Sequence, residues 1–260
     1  MQDTQIFDTA AAMADAARQQ TLPLFRSIGL QSDNKLAAGF DPVTQADRDS
    51  ERVMRAILAE KRPKDAILGE EFGFTAGTSG LTWVLDPIDG TRAFISGAPS
   101  WGILIGLRNG SGPVYGIIDQ PFTGERFEGG LGRARVTGRD GERPLSVRKD
   151  VPLSGAILLS TYPEIGTEQE RLAFQRVAGQ VQLTRYGLDC YAYGLLALGM
   201  VDLVIEAGLQ PYDIMAPIAV VEAAGGIVTD WQGGPAHEGG QVIAAATPEI
   251  HAEALTLLAG

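Results

Sequence analysis

The sequence has few of the residues that build disulfides and thiol-based active sites. Cys190 is the only cysteine among 260 residues, and His237 and His251 are the only histidines. A single cysteine cannot form an intrachain disulfide, so an oxidising compartment is not implied. Both histidines lie in polar or C-terminal sequence surroundings, which argues against a Cys–His nucleophile.

The chain also lacks an excess of positive charge and a long apolar run. Its 21 Lys and Arg residues are outnumbered by 32 Asp and Glu residues, which gives a net charge of -11. Nucleic-acid binding depends on clustered cations, so this balance argues against a nucleic acid as partner. No segment reaches the roughly 20 apolar residues of a membrane span, and the first residues do not resemble a signal peptide. We therefore expect a cytoplasmic protein that does not bind membranes.

The first half of the chain combines helical and strand-like patterns. Hydrophobic residues make up 45% and charged residues 20% of the chain, as is usual for globular proteins. Apolar spacing predicts a helix over residues 6–25, and Thr44–Asp47 opens a second helix that ends at about residue 60. Apolar runs at 66–68 and 81–85 predict strands. The runs at 101–107 and 114–118, joined by turn residues, predict an antiparallel hairpin.

The pattern changes near residue 147. Beyond it, strand-like runs at 156–160, 181–184, 203–206 and 226–229 alternate with helical patterns at 167–178, 191–198 and 214–224. Such alternation is typical of an α/β arrangement. We therefore predict an α+β domain over residues 1–147 and an α/β domain over residues 148–260.

The segment Asp86–Thr91 joins two carboxylates to turn-forming residues. Asp86 and Asp89 flank a proline at the end of an apolar strand and would hold two hard oxygen ligands close together. Such a pair repels itself unless a cation lies nearby. Gly90 allows close backbone approach, Thr91 supplies a hydroxyl, and a helix starting here would offer N–H groups to a phosphate. A capped turn without chemistry is the alternative, because these are also common turn residues.

Three further acidic segments have both a functional and a purely structural interpretation. Glu70 and Glu71 follow a short strand and could form a solvated acidic turn. Asp213 precedes an apolar helix and could be its N-cap, and Asp47 at the start of the second helix has the same explanation. Taken singly, each segment favours the structural interpretation.

These acidic segments lie within short motifs, and the resemblance that the motifs carry extends over nearly the whole chain. The motifs are Pro42–Asp47, Gly69–Glu71, Trp83–Thr91, Tyr212–Asp213 and Glu222–Gly226. In this order and spacing the sequence resembles the inositol monophosphatase superfamily of metal-dependent, lithium-sensitive phosphatases. The resemblance implies a layered αβαβα sandwich, with the site between an antiparallel-rich N-terminal half and an α/β C-terminal half. Because members are commonly dimers, it also implies a homodimer.

The same resemblance implies roles for individual residues. The metal ligands would be Glu70, Asp86, Asp89, Asp213 and the backbone carbonyl of Ile88. Their hard oxygens suit Mg²⁺, of which two or three ions would bind per active site. Asp47 and Thr91 would act with Glu70 to position and deprotonate the attacking water, and the phosphate would contact N–H groups around Gly90 and Thr91. Hydrolysis would proceed by in-line attack of metal-activated water, without a covalent phosphoenzyme.

Within the superfamily, the sequence most resembles the histidinol-phosphate phosphatases. The segments that carry this resemblance are Asp89–Gly97, Pro99–Gly102, Gly187–Gly194 and Glu206–Asp213. Typical inositol phosphatases follow the shared Gly-Thr with Thr or Ser and Asn, where this chain has Arg92 and Ala93. Histidinol carries an amine and an imidazole, so acidic side chains beside the phosphate would favour it. Asp189 and Glu206 are our candidates, with a helix N-cap and a solvated strand end as their structural alternatives.

The resulting prediction is a Mg²⁺-dependent phosphomonoesterase that acts on a small ester, L-histidinol phosphate, in histidine biosynthesis. The predicted substrate-binding residues are Asp89, Gly90, Thr91, Arg92, Asp189, Glu206 and Asp213. One alternative is an inositol-1-monophosphatase or a broader phosphatase of the same superfamily. Another is a non-catalytic regulator that binds metal or phosphate, which the presence of every motif carboxylate disfavours. Arg92 and Arg185 could each contact phosphate or pair with a carboxylate, whereas Trp101, Tyr191 and Tyr193 are more typical of a core.

Overall fold

Seven α-helices and fifteen strands are formed by the residues that the computed structural model describes, namely 2–28, 30, 32–34 and 42–260. The helices are α1 (Gln2–Thr21), α2 (Gln45–Lys61), α3 (Thr91–Ser96), α4 (Glu168–Ala178), α5 (Tyr191–Ala197), α6 (Pro211–Ala223) and α7 (Pro248–Ala259). The strands of the first half are β1 (Ser32–Asn34), β2 (Pro42–Thr44), β3 (Ala66–Gly69), β4 (Gly73–Thr75), β5 (Thr82–Asp89), β6 (Gly102–Asn109), β7 (Gly112–Gln120), β8 (Glu125–Gly130), β9 (Arg133–Gly138) and β10 (Gly141–Pro144). Those of the second half are β11 (Ile157–Ser160), β12 (Leu183–Tyr186), β13 (Leu203–Leu209), β14 (Ile227–Thr229) and β15 (Gly240–Ala245).

Most strands belong to two sheets. The larger has the order β10-β9-β8-β7-β6-β5-β3-β4 and is antiparallel except where β3 pairs with β5. The smaller has the order β12-β11-β13-β15-β14, with β11 parallel to both of its neighbours. The chain passes from one sheet to the other between residues 144 and 157. The domain boundary near residue 147 stays a prediction.

Helices cover both faces of each sheet. Apolar residues of α1 and α2, such as Met13 and Met54, form one core with the outer face of the larger sheet. A second core lies between the two sheets and contains α5 and α6. A third joins α4 and α7 to the far face of the smaller sheet, around Phe174. The five layers confirm the predicted αβαβα sandwich.

A row of glycines lets α6 approach the larger sheet closely. Gly106, Gly116 and Gly129 are paired with one another across β6, β7 and β8. A Cβ at Gly106 would lie 2.8 Å from the Met215 side chain, and one at Gly116 would lie 2.5 Å from the Ala216 carbonyl oxygen. Larger side chains would therefore push this helix off the sheet.

Several boundaries differ from the sequence prediction. The first helix ends at Thr21 instead of residue 25, and a turn follows it. The strand predicted over 81–85 continues to Asp89. The hairpin and the second helix are confirmed, whereas β8–β10, β15 and α7 were not predicted. Among the described residues, no helix is both long and apolar enough to cross a membrane.

Candidate functional site

One cavity of about 410 Å³ contains most of the predicted site residues. It lies where the C-terminal end of β5 and the start of α3 face α5, β13 and α6. Its lining includes Glu70, Asp86, Ile88, Asp89, Gly90, Thr91, Arg92, Asp189, Glu206 and Asp213. Segments that are distant in sequence therefore converge on one pocket, as the sequence predicted.

Three aspartates form the acidic centre of this cavity. Asp86, Asp89 and Asp213 each offer one carboxylate oxygen, and these atoms all lie within 4.8 Å of one another. A register shift between Asp86 and Asp89 breaks the regular pairing of β5 with β6, so the end of this strand departs from simple alternation. The Ile88 N–H donates to Asp86 Oδ1 at 3.0 Å, which fixes that carboxylate against its own backbone.

Burial and mutual repulsion disfavour the charged forms of these groups. The pKa of Asp86 is raised well above its usual value by burial, and the nearby charges of Glu70, Asp89 and Asp213 raise it further. The pKa of Asp89 is also raised, by burial first and then by Asp213 and Asp189. A divalent cation among these oxygens would remove the repulsion. The donor set of hard oxygens thus fits Mg²⁺ or a similar ion.

Glu70 joins this centre from the turn after β3. Its backbone N–H donates to the Leu85 carbonyl at 3.1 Å, directly beside Asp86 in the chain. A hydrogen bond between the Glu70 and Asp86 side chains also contributes to the raised pKa of Asp86. The solvated-turn interpretation of this segment is therefore wrong for Glu70, which faces the cavity.

Asp47 supports the site from behind Thr91. As the third residue of α2 it accepts the Thr44 N–H at 2.8 Å and the Thr44 hydroxyl at 2.6 Å, which completes a capping box. The Thr91 hydroxyl lies 3.3 Å from Asp47 Oδ1 and 3.1 Å from the Ile88 carbonyl oxygen. Asp47 therefore has a structural role in its helix and also reaches the cavity through Thr91.

The two halves of the chain meet at Gly90. This residue has a φ of 83° and precedes α3, a conformation that glycine adopts without strain. A Cβ there would lie 2.7 Å from Asp189 Cγ. The Cys190 N–H also donates to Asp89 Oδ2 at 2.6 Å, so α5 is tied directly to the acidic centre.

Asp213 enters the cavity on the first turn of α6. It is the third residue of the helix, and Gln210 is the N-cap. The N-cap interpretation of Asp213 is therefore wrong. Its Oδ2 accepts the Gln210 N–H at 2.7 Å, and the glycine row beneath α6 sets how far the helix lies from the sheet.

Two further acidic residues, Asp189 and Glu206, also line this cavity. Asp189 has a φ of 47° and accepts the Ser100 hydroxyl at 2.8 Å, while Cys190 occupies the N-cap position of α5. Burial raises the pKa of Asp189, although Ser100 and Arg92 oppose this. The helix N-cap interpretation of Asp189 is wrong.

Glu206 is buried within β13, so its interpretation as a solvated strand end is also wrong. Its Oε1 accepts the Thr161 N–H at 2.7 Å and the Thr161 hydroxyl at 2.9 Å. Only 5% of its surface is exposed, and this burial raises the pKa of its carboxyl to about 7. A carboxylate held this way can pair with a cationic group in the cavity.

The two arginines left open by the sequence have different surroundings. Arg92 donates to the Tyr162 hydroxyl and lies 5.3 Å from the centre of that ring, at the edge of the cavity. Its charge also lowers the pKa of Asp189. Arg185 is exposed on β12, apart from the described residues that line the cavity.

The cavity lining also contains residues outside the predicted site, among them Cys190 and Tyr193. Burial and the neighbouring Asp89 raise the pKa of the Cys190 thiol, which agrees with the expectation that it is not a nucleophile. Tyr193 is buried, and its hydroxyl has no hydrogen-bond partner among the described residues. Their spacing of three residues on α5, which places both on one helical face, could have indicated this.

Comparison with known proteins shows to which family the chain belongs. The model of the Inositol monophosphatase family matches residues 2–259. The chain belongs to this family. It is similar to the bifunctional phosphatase IMPL2 of Arabidopsis thaliana, at 40% identity over 99% of this chain and 77% of that protein. It is 35% identical to a histidinol-phosphatase of Mycobacterium tuberculosis, over 96% of both chains. An inositol monophosphatase structure from Zymomonas mobilis matches with a TM-score of 0.84 and 40% identity, over 97% of this chain and 98% of that one.

Membership of the inositol monophosphatase family makes the chain a phosphatase. Enzymes of this family use divalent metals, and the acidic centre of the cavity suits such ions. The predicted resemblance to this superfamily and the predicted fold are both confirmed.

Proposed function

We propose that this phosphatase hydrolyses L-histidinol phosphate to L-histidinol and phosphate, as a Mg²⁺-dependent step of histidine biosynthesis. The observation that carries the proposal is the presence of two further carboxylates, Asp189 and Glu206, in the lining of the cavity that contains the acidic centre. A phosphate ester with a cationic alcohol portion would place its phosphate at the acidic centre and its positive groups beside these two carboxylates. An uncharged alcohol would offer these two carboxylates no positive charge.

Two or three Mg²⁺ ions would be held by the acidic centre. Their ligands would be Glu70, Asp86, Asp89, Asp213 and the Ile88 carbonyl. When bound, such ions neutralise the carboxylates, act as Lewis acids toward phosphate and lower the pKa of water. The Ile88 carbonyl also accepts from Thr91, which couples this ligand to the hydroxyl beside it.

The residues around Thr91 would position the attacking water. Glu70 would accept its proton, assisted by the Thr91 hydroxyl, which Asp47 holds from behind. The phosphate would lie against the backbone of Gly90 and Thr91, with Arg92 at the cavity edge. Such preorganised groups lower the barrier because they need no rearrangement during the reaction.

Asp189 and Glu206 would bind the ammonium and imidazole groups of the alcohol. Both carboxylates are already oriented by hydroxyl or N–H donors, from Ser100 and Thr161 respectively. A cation beside Glu206 would lower the raised pKa of its carboxyl and so favour the ionised form. The similarity to the histidinol-phosphatase of Mycobacterium tuberculosis supports this choice of substrate.

Inositol 1-phosphate is the second candidate substrate. The similarity to the inositol monophosphatase of Zymomonas mobilis favours it. Against it stand Arg92 and Ala93, in place of the Thr or Ser and Asn typical of inositol phosphatases, and the carboxylates of Asp189 and Glu206 in the cavity lining. A non-catalytic role as a regulator is disfavoured, since four of the motif carboxylates line the cavity and Asp47 reaches it through Thr91. We also expect the protein to be a homodimer in the cytoplasm. Light scattering after size-exclusion chromatography would detect the dimer.

Phosphate release from a panel of esters tests the substrate. L-histidinol phosphate, inositol 1-phosphate, fructose 1,6-bisphosphate and adenosine 3',5'-bisphosphate would be compared with Mg²⁺ at equal enzyme concentration. We expect the highest kcat/KM for L-histidinol phosphate. Turnover of inositol 1-phosphate well above that of histidinol phosphate would refute the proposal.

A further inference from the structure

A buried carboxylate of α2 lies directly against the turn that carries Glu70. Glu51 has no exposed surface. Its Oε2 accepts the Glu71 N–H at 2.7 Å, and its Oε1 accepts the Phe72 N–H at 3.2 Å. The two residues that follow Glu70 are thus both bound through their backbone to one side chain.

Arg55 connects this carboxylate to the rest of the hairpin formed by β3 and β4. Its Nε donates to Glu51 Oε1 at 2.7 Å, and its other nitrogens donate to the Gly73 carbonyl and the Thr75 hydroxyl. A Cβ at Gly69 would overlap the Glu51 carboxylate, so any larger residue there would displace this carboxylate from its present position. The carboxylate is therefore enclosed by the backbone it holds.

Glu51 differs from the groups that face the cavity, because its contacts are with the turn that carries Glu70 and with Arg55. Among the described residues, it is not part of the cavity lining, so it can act only through its neighbours. On α2 it lies four residues after Asp47, and therefore on the same helical face. This face supports Thr91 through Asp47 and the Glu70 turn through Glu51.

We propose that Glu51 is a positioning residue that fixes the Glu70 carboxylate for divalent-cation binding. This role rests on the proposed assignment of Glu70 as a metal ligand. Leu85 holds the Glu70 backbone on one side, and Glu51 holds the following two N–H groups on the other. Without Glu51, the N–H groups of Glu71 and Phe72 would lose their acceptor, and the turn would adopt other conformations.

Calorimetric titration of the metal-free protein with Mn²⁺ tests this role. In Glu51→Gln one carboxylate oxygen becomes an NH₂ group, which cannot accept from the backbone or from Arg55. Outer residues that orient metal ligands commonly contribute 10- to 100-fold to metal affinity, so we expect Mn²⁺ to bind about 10-fold or more weakly. Activity at saturating metal should recover much of the wild-type kcat, because Glu51 does not touch the substrate site.

Asp202→Asn is the matched control. Asp202 is equally buried and accepts from an arginine, Arg148, and from a backbone N–H, that of Ile157 at 2.8 Å. It lies immediately before β13 and, among the described residues, does not line the cavity. This variant should lose stability comparably but bind Mn²⁺ as the wild type does. If Glu51→Gln fails to fold, Glu51→Asp is the second variant. It keeps the charge but moves the carboxylate away from the turn by one methylene length, and it must also weaken Mn²⁺ binding.

Unchanged Mn²⁺ affinity in the folded Glu51 variant would overturn the role of Glu51. Equal weakening in the Asp202 control would also overturn it, since the effect would then follow from lost stability alone. Because no ester is present, these outcomes are independent of whether histidinol phosphate is the substrate. Absence of Mn²⁺ binding by the wild type would instead overturn the proposed metal site, and the role of Glu51 with it.

Discussion

Carboxylates in the cavity differ in what surrounds them, and this difference separates their proposed roles. Asp86 and Asp89 mainly face other acids, so their negative charges require a cation. Glu206 instead receives two hydrogen bonds from Thr161 and is available to a cationic ligand. The local sequence around Asp86 predicted that these two carboxylates lie close together, but only the family resemblance favoured metal ligands over a capped turn. The pairing of Glu206 with Thr161 joins residues 45 positions apart, which no local pattern reveals.

Asp89→Asn tests the ligand assignment at this scale. The amide oxygen can still accept the Cys190 N–H, so the fold should persist, but a ligand charge is lost. Loss of a residue that only orients a metal ligand commonly lowers metal affinity or activity 10- to 100-fold. We therefore expect loss of a ligand itself to lower kcat/KM by at least about 100-fold. Phosphate release with excess Mg²⁺ measures this, with circular dichroism as the control for folding. Retention of most activity would refute the assignment.

Glu206 also predicts how the stability of the metal-free protein depends on pH. Its pKa is raised from 4.5 to about 7 in the folded state, so folding favours the protonated carboxyl. The contribution of this group is greatest below pH 4.5 and is lost as pH rises through about 7, by up to about 3 kcal/mol. Glu206→Gln should therefore lose less unfolding free energy than the wild type between pH 5 and pH 8.

Urea unfolding in EDTA at pH 5, 6, 7 and 8 measures this difference. Glu238→Gln is the control, because the Glu238 carboxylate is largely exposed, and it should follow the wild type. Parallel pH profiles for the wild type and Glu206→Gln would contradict the raised pKa.

At the scale of elements, the close packing of α6 against the larger sheet explains why β8 was not predicted. Residues 129–150 contain glycines and charges, and the sequence pattern gives no strand there. Gly129 nevertheless lies in β8. The residue at this position is glycine because a larger side chain would overlap the backbone of α6 near Val220. The hairpin of β6 and β7 was predictable because its turn and apolar runs are local. The need for glycine in β8 comes from a helix some 90 residues later in the sequence.

Gly116→Ala tests the contact between α6 and the sheet. The added Cβ would lie 2.5 Å from the Ala216 carbonyl oxygen, so the helix must shift. Overpacking of this kind costs about 1–3 kcal/mol, which urea unfolding would measure. Since α6 carries Asp213, we also expect weaker Mn²⁺ binding. Gly110→Ala is the control, because no described atom outside the adjoining residues lies within 4 Å of its added Cβ. Equal stability of both variants would show that the close approach is unimportant.

For the whole molecule, the location of the site between the two halves was accessible only through the family resemblance. Composition and periodicity predicted an α+β half and an α/β half, but neither specifies which faces meet. In the structure the halves meet at the site itself, where Asp89 accepts the Cys190 N–H and Ser100 donates to Asp189. An acidic chain of net charge -11 can attract a phosphate ester there only if cations lie among the carboxylates.

Mg²⁺ should therefore stabilise the metal-free protein as a whole. A ligand at 100 times its Kd adds about 2.7 kcal/mol to the free energy of unfolding, which for a chain of this size raises Tm by about 5–10 °C. Thermal unfolding with and without Mg²⁺, at matched ionic strength, measures the shift. Asp89→Asn should lose most of it. A Tm that does not respond to Mg²⁺ in the wild type would count against the cation site.

Anomalous diffraction from crystals grown with Mn²⁺ would locate the cations directly. We predict peaks within the cavity, at about 2.1 Å from carboxylate oxygens of Glu70, Asp86, Asp89 and Asp213. Manganese bound only elsewhere on the chain, or no peak beside these four residues at saturating Mn²⁺, would contradict the proposed metal centre.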